Sequence, residues 1–129
     1  MKLELVEQFY HRWPRWFIGL TQLPTQSNLA FGFECGDGWF DILWKLCEDI
    51  DKLNPDENFI VHQIKEKFAG LYFYVGPTTH EILNRIEQAE AESYKTCEIC
   101  GSKTDVTTNE RGWMKTLCDI CRQRENFYG

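Results

Sequence analysis

Cys97-Glu98-Ile99-Cys100 and, after seventeen intervening residues, Cys118-Asp119-Ile120-Cys121 decide how this chain is read. Each Cys-x-x-Cys pair offers two thiolates from one tight turn. A separator of this length folds back as a hairpin, so the four sulfurs can meet around a tetrahedral Zn²⁺. Gly101 follows the first pair, where a positive φ closes the turn without strain; Arg122 follows the second, so the two turns differ. Thr104 to Thr108 and Trp113 to Leu117 are rich in β-branched and apolar residues and predict two strands, with Asn109-Glu110-Arg111-Gly112 as the turn between them. The pattern predicts a zinc ribbon with Cys97, Cys100, Cys118 and Cys121 as ligands of one Zn²⁺. Two disulfides or unligated thiols are the competing reading, which the spacing disfavours. A four-cysteine site is closed, hence structural and not hydrolytic.

Upstream of the ribbon, a helix is predicted over about 79–93, opened by a capping box of Thr78 and Glu81. Ile82, Leu83, Ile86 and Ala89 turn inward, and Glu81, Glu87, Glu90 and Glu92 face water. Only Tyr94-Lys95-Thr96 separate it from Cys97, so the ribbon is expected to dock on what precedes it. Before that helix, residues 59–67 and 71–75 read as a hairpin closed by Phe68-Ala69-Gly70. The second strand (Leu71, Tyr72, Phe73, Tyr74, Val75) is apolar on both faces, which predicts a central strand or one covered on both sides. Trp39, Leu43, Leu46, Ile50 and Leu53 repeat at helical spacing, widened by Phe40, Trp44 and Cys47, and predict a buried-face helix over 38–53. Asp37 is its expected N-cap, Pro55 its stop, and Trp44 is expected against the hairpin. A short strand is expected over 29–33 and an amphipathic helix over 2–13, ended by Pro14. Trp13-Pro14-Arg15-Trp16-Phe17, with Arg12, is either a binding face or the aromatic closure of one end of the core; burial preferences favour closure. The fold class is α+β: a small helix/β-hairpin/helix domain over 1–94 with a C-terminal zinc ribbon over 95–129 docked on it.

Charge narrows the partners. The 129 residues carry a formal −6. Residues 1–94 hold eight basic against fifteen acidic side chains, giving −7, and residues 95–129 carry +1. Four thiolates around one Zn²⁺ add −2, about −8 in all for the metallated protein. So acidic a chain is poorly suited to sequence-independent grip on phosphate backbones, although a local basic patch is compatible with it. No apolar run follows Met1-Lys2-Leu3-Glu4 as in a signal peptide, and no stretch approaches a membrane span. Reduced thiols and a zinc site fit the cytoplasm.

Gly32-Phe33-Glu34-Cys35-Gly36-Asp37-Gly38-Trp39-Phe40-Asp41-Ile42-Leu43-Trp44 resembles a string found in small proteins of bacterial genomes and their phages. So do Gln63-Ile64-Lys65-Glu66-Lys67-Phe68-Ala69-Gly70-Leu71 and Ala89-Glu90-Ala91-Glu92-Ser93 running into Cys97. The resemblance spans about 31–121 and is to an uncharacterised family. It implies a bacterial or phage origin and a zinc-bearing C-terminus, and it transfers no activity. This chain has Ala69-Gly70 where Gly-Gly is expected before Leu71, and Tyr72 where an arginine is usual.

Cys35, in a Gly/Asp-rich turn before a helix, is the best nucleophile candidate, with His11, His62 or His80 as conceivable bases. Nothing ties any of the three histidines to it, and Glu34 and Asp37 oppose thiolate formation, so a structural cysteine is the preferred reading. Glu34, Asp37 and Asp41 are read as capping and solvated carboxylates before they are read as a second metal site. The functional reading is a non-catalytic zinc-binding accessory protein that binds a macromolecular partner, in first place a protein and in a phage setting a host factor. The acidic helix face of Glu87 and Glu90 and the aromatics serve as contacts. Two other classes stand beside it. One is a nucleotide-like small ligand stacked by Trp39, Trp44, Tyr72 and Tyr74. The other is nucleic acid held by the ribbon's Lys103, Arg111, Lys115, Arg122 and Arg124.

Overall fold

The computed structural model describes residues 1–110 and 112–125. Helix α1 (Leu3–Arg12) buries Val6 and Phe9. Two 3₁₀ turns follow, Ile18–Thr21 and Asn28–Phe31, before the two-residue strand β1 (Phe33–Glu34). The strand expected over 29–33 is therefore mostly a 3₁₀ turn. Ser27 caps that turn by accepting from Leu29 N–H, and Gly32 at φ +80 redirects the chain into β1.

Helix α2 (Phe40–Lys52) is entered through a further 3₁₀ turn, Asp37–Trp39. Asp37 does not cap α2 as expected. Its carboxylate accepts from Lys2 N–H at 2.8 Å and so ties the start of α1 to this turn. The aromatic cluster of the core lies between α1 and α2. Phe9 sits 5.1 Å, centroid to centroid, from Trp44, and Trp13 sits 4.9 Å from it, so Trp44 packs on α1 and not on the hairpin as expected. Trp13 and Trp16 are both buried and stack at 5.6 Å, which settles the Trp13–Phe17 stretch as core closure.

Strands β2 (Ile60–Lys67) and β3 (Gly70–Gly76) form the antiparallel hairpin, and β1 pairs in parallel with β2 at Phe33–Ile64 and Glu34–Lys65. The order is β1-β2-β3, so β3 is an edge strand and not central. It also alternates: Leu71, Phe73 and Val75 are buried, while Tyr74 is exposed and Tyr72 half-buried on the other face. Tyrosine rings are apolar enough to read as core in a sequence, whereas their hydroxyl ends tolerate water on an open face. A bulge at His62 resets the alternation on β2, so Val61 and Ile64 both point inward although three residues apart.

Helix α3 (His80–Ser93) packs on α2 and β3. Its N-cap is Thr79, accepting from Ile82 N–H, one residue later than the expected Thr78–Glu81 box. Ile82 and Ala89 face the core, but Leu83 is nearly half exposed, contrary to expectation. The ribbon follows as β4 (Val106–Thr108), β5 (Thr116–Cys118) and the short helix α4 (Asp119–Arg124). Its strands are shorter than expected, and Arg111 of the expected turn lies outside the described residues. The molecule is α+β, with the four cysteines gathered in a ribbon docked on the helix-and-sheet body. Among the described residues, no helix is long and apolar enough to cross a membrane.

Candidate metal centre

The first knuckle leaves α3 through Thr96, whose hydroxyl donates to Glu92 O at 2.9 Å. Cys97 N–H then donates to Ser102 O at 2.8 Å, and Gly101 N–H to Cys97 O at 2.9 Å. Gly101 takes φ +81, the conformation its position in the sequence implied. The second knuckle is built differently: Cys118 ends β5 and Cys121 lies in the first turn of α4, its N–H donating to the Cys118 sulfur at 3.4 Å. Val106 pairs with Cys118 across the ribbon hairpin, and the fully buried Leu117 packs with Cys97, Cys118 and Cys121.

These turns bring all four sulfurs within 4.8 Å of one another, with Cys100 and Cys118 at 3.7 Å. That separation is too long for a disulfide. It matches the edge of about 3.8 Å expected for a tetrahedron of sulfurs roughly 2.3 Å from a central ion. The donors fit one metal ion held by all four. Cys97, Cys118 and Cys121 are buried and Cys100 is exposed. Burial raises the Cys97 thiol, but backbone N–H groups of Cys100, Cys118 and Ile99 outweigh it and bring the pKa down to about 7. Burial and the sharing of hydrogen bonds among the other three sulfurs push Cys121 the opposite way. Without a cation the cluster does not hold four thiolates together; a divalent ion supplies the missing charge.

The knuckle is seated in a cradle that sequence reasoning did not anticipate. Gly38 N–H donates to Glu98 O at 2.8 Å, and Gly36 N–H to the Glu98 carboxylate at 2.9 Å. A Cβ at Gly36 would fall on the Glu98 carbonyl and one at Gly38 on the Cys97 carbonyl, so backbone packs directly on backbone here. Trp39, fully buried, donates its indole N–H to Thr96 O at 3.0 Å. Glu98 is buried and paired with Lys115 at 3.4 Å, which also reaches Glu66 of β2 at 3.1 Å. Burial works against the Lys115 charge, but the two glutamates outweigh it and hold its pKa above the usual lysine value. The Thr116 hydroxyl donates to Ala69 O at the hairpin tip, and Ser93 at the end of α3 accepts from Leu71 N–H. The pair of glycines before Trp39 was the available signal, since closely spaced glycines mark close backbone approach.

The remaining candidates fall into place around this joint. Cys35 is buried, and burial pushes its thiol up to about 12, with Glu98 and Asp37 adding to the rise against the lowering effect of the N-terminal ammonium. It is not a thiolate near neutral pH. Among the described residues the four cysteines are the one His/Cys/Asp/Glu cluster arranged to hold a metal; Glu34, Asp37 and Asp41 form no such group. Trp39, Trp44, Tyr72 and Tyr74 do not converge. Trp39 is in the joint, Trp44 in the α1–α2 cluster, and only Tyr72 and Tyr74 are neighbours, 6.2 Å apart on the sheet. Glu87 and Glu90 are exposed on α3. Of the ribbon's basic residues, Lys115 is held by two glutamates and Lys103 pairs with Glu92. Arg122 donates to Thr107 O, Lys115 O and the Asn109 side chain, clamping both ribbon strands. Arg124 borders a recess beside Cys100, and Arg111 lies outside the described residues. No protein-family model, curated protein or solved structure matches this chain.

Proposed function

We propose that this chain is a zinc-stabilised binding protein, in which one structural Zn²⁺ holds the ribbon against the body and the assembled surface associates with a macromolecular partner. The observation that carries the reading is the completeness of the four-sulfur cluster: the protein supplies every ligand of a tetrahedral ion and leaves no position for water or substrate. Zinc is the favoured ion because tetrahedral four-thiolate sites are its characteristic structural environment. The buried, protonated Cys35 supports a role in packing over one in nucleophilic chemistry. Six cysteines, none of them in a disulfide, fit a reducing cytoplasm, and the strings quoted above fit a bacterial or phage source.

Elemental analysis of protein purified without chelator should give one zinc per chain, and Cys97→Ser should lose it. Less than half an equivalent would overturn the zinc assignment. Immobilised wild-type protein should retain a macromolecule from host lysate that Cys35→Ser retains equally well. Loss of that retention in Cys35→Ser at unchanged melting temperature would point to a working thiol instead.

A further inference from the structure

The outer face of the β1–β2–β3 sheet differs from the rest of this acidic surface. Helix α3 packs on β3 from the inner side and α2 packs on α3, and Val61, Ile64, Leu71, Phe73 and Val75 are buried in one core with residues of both helices. On the other side, Tyr72 and Tyr74 lie next to one another on β3, and His62 on β2 contacts the Tyr74 ring at 5.0 Å. The ammonium groups of Lys65 and Lys67 sit 5.6 and 5.1 Å from the Tyr72 ring centre. Neither lysine has a carboxylate within ion-pair distance among the described residues, whereas Lys2, Lys45, Lys103 and Lys115 all do. Glu34 is the acidic neighbour, in register with Lys65 across the sheet, and Glu66 is already engaged by Lys115. Beyond His62 and Tyr74 the sheet opens into a recess of about 320 Å³ walled by the 19–28 segment, including Gln22, Thr25, Gln26 and Asn28.

We propose that this face binds a single-stranded nucleic acid: Tyr72 and Tyr74 stack successive bases, Lys65 and Lys67 meet the phosphates, and the recess beside His62 and Tyr74 receives a base. The proposal rests on the macromolecular-binding reading above and names the partner class. An exposed and a half-buried tyrosine on one sheet face, flanked by two lysines with no ion-pair partner among the described residues, match the two needs of such a ligand, a π-face for each base and positive charge along the backbone. A duplex hides its bases from these rings. A protein partner fits less well, because lysine is depleted from the centre of protein–protein interfaces. The carboxylates of Glu87 and Glu90 stand on α3, across the sheet from this face, and Glu34 is the carboxylate in register with Lys65 on it. The amide and hydroxyl side chains of the recess suit the hydrogen-bonding edge of a base.

The test uses zinc-loaded full-length protein and fluorescence anisotropy with labelled oligo-dT and oligo-U of about twelve nucleotides, the matching duplex, and a free mononucleotide. Single strands should bind more tightly than the duplex and far more tightly than the mononucleotide; comparing dT with U shows whether DNA or RNA is preferred. Tyr74→Ala, at an exposed position, should weaken binding about ten-fold or more at unchanged melting temperature and zinc content. Lys65→Gln with Lys67→Gln should reduce the slope of log affinity against log salt by roughly 0.7 for each lysine. No binding of either single strand at about 50 mM salt overturns the proposal, as does equal binding of the duplex with Tyr74→Ala unaffected. A mononucleotide bound as tightly as the oligomers overturns it in favour of a small ligand. If the oligonucleotides fail while the immobilised protein still retains a protein partner, the nucleic-acid assignment falls and the binding reading stands. If nothing is retained, both fall.

Discussion

At the tip of the β2–β3 hairpin, Phe68 and Ala69 adopt φ +52 and +71, the left-handed pair that a two-residue hairpin turn requires and that side chains with a Cβ resist. Two contacts hold the turn: Ala69 N–H donates to the Glu66 carboxylate at 2.9 Å, and Ala69 O accepts from Thr116 of the ribbon. Glycine would occupy position 69 without strain, which gives a physical sense to the Gly-Gly expected there. Phe68 is 71% exposed, so its ring contributes little to offset the backbone strain. Phe68→Asn is therefore expected to stabilise the fold by roughly 0.5–1 kcal/mol, read as a higher urea midpoint at unchanged slope. A second residue-level expectation concerns Asp49, whose carboxyl the Arg85 guanidinium, donating at 2.8 Å, holds below its ordinary value. A carboxyl with a lowered folded pKa stabilises above its unfolded value of about 3.9 and loses that contribution as pH falls through the folded value. Arg85→Gln should destabilise by about 1 kcal/mol near neutral pH, after allowing for partial solvent exposure, and the gap should narrow as pH falls below the unfolded value. Urea titrations of both proteins across that range check the sign.

At the scale of elements, helix positions followed from periodicity, and their partners did not. The heptad-like spacing of Trp39 to Leu53 located α2 within two residues at each end, but a stripe of apolar side chains carries no information about which surface covers it. Trp44 shows the difference: it lies on the apolar stripe, yet packs against Phe9 and Trp13 and not against the hairpin. Because it is half-buried between Phe9, Trp13 and Phe40, Trp44→Ala should destabilise by about 2–3 kcal/mol, less than the 3–5 of a fully buried aromatic. The same change should expose α1 to amide exchange before the hairpin. If β2 and β3 lose protection first, the packing described here is wrong. The cap lies one position later than expected: Thr78 and Thr79 are both competent caps in the sequence, and it is the Thr79 hydroxyl that accepts from Ile82 N–H.

For the whole molecule, the joint between body and ribbon draws together three stretches that lie far apart in the chain. Gly36-Asp37-Gly38-Trp39 cradles the first knuckle, Glu66 and Ala69 at the hairpin tip meet Lys115 and Thr116, and Ser93 anchors β3 to the end of α3. Metal removal should therefore do more than loosen the ribbon. Structural zinc contributes on the order of 10 kcal/mol to the segment it organises. Once Glu98 and Thr116 lose their positions, Gly36–Trp39 and the hairpin tip lose partners too. Hydrogen exchange after chelation should show protection lost in residues 97–121, then at 36–39 and 66–70, with the α1–α2 cluster retained longest. Protection lost only within the ribbon would mean that the joint adds no coupling.

What the sequence by itself determined is what short-range chemistry determines. Cys-x-x-Cys spacing forces two thiolates into one turn whatever surrounds them, and apolar periods of 3.6 and two place helices and strands from local geometry alone. The gathering of the four cysteines, the α+β class and the docking of the ribbon after a three-residue link were legible for that reason. The tertiary structure alone decided that β3 lies at an edge, that Gly36 and Gly38 seat backbone directly on the first knuckle, and that Lys115 and Arg122 are internal ties. It also decided that Tyr72, Tyr74, Lys65 and Lys67 share one uncovered face. Each of these depends on which distant surfaces meet, through contacts spanning tens of residues such as Gly36 with Glu98 and Ala69 with Thr116. No local pattern encodes that choice, because the same glycine, lysine or tyrosine serves equally well buried against a partner or open to water.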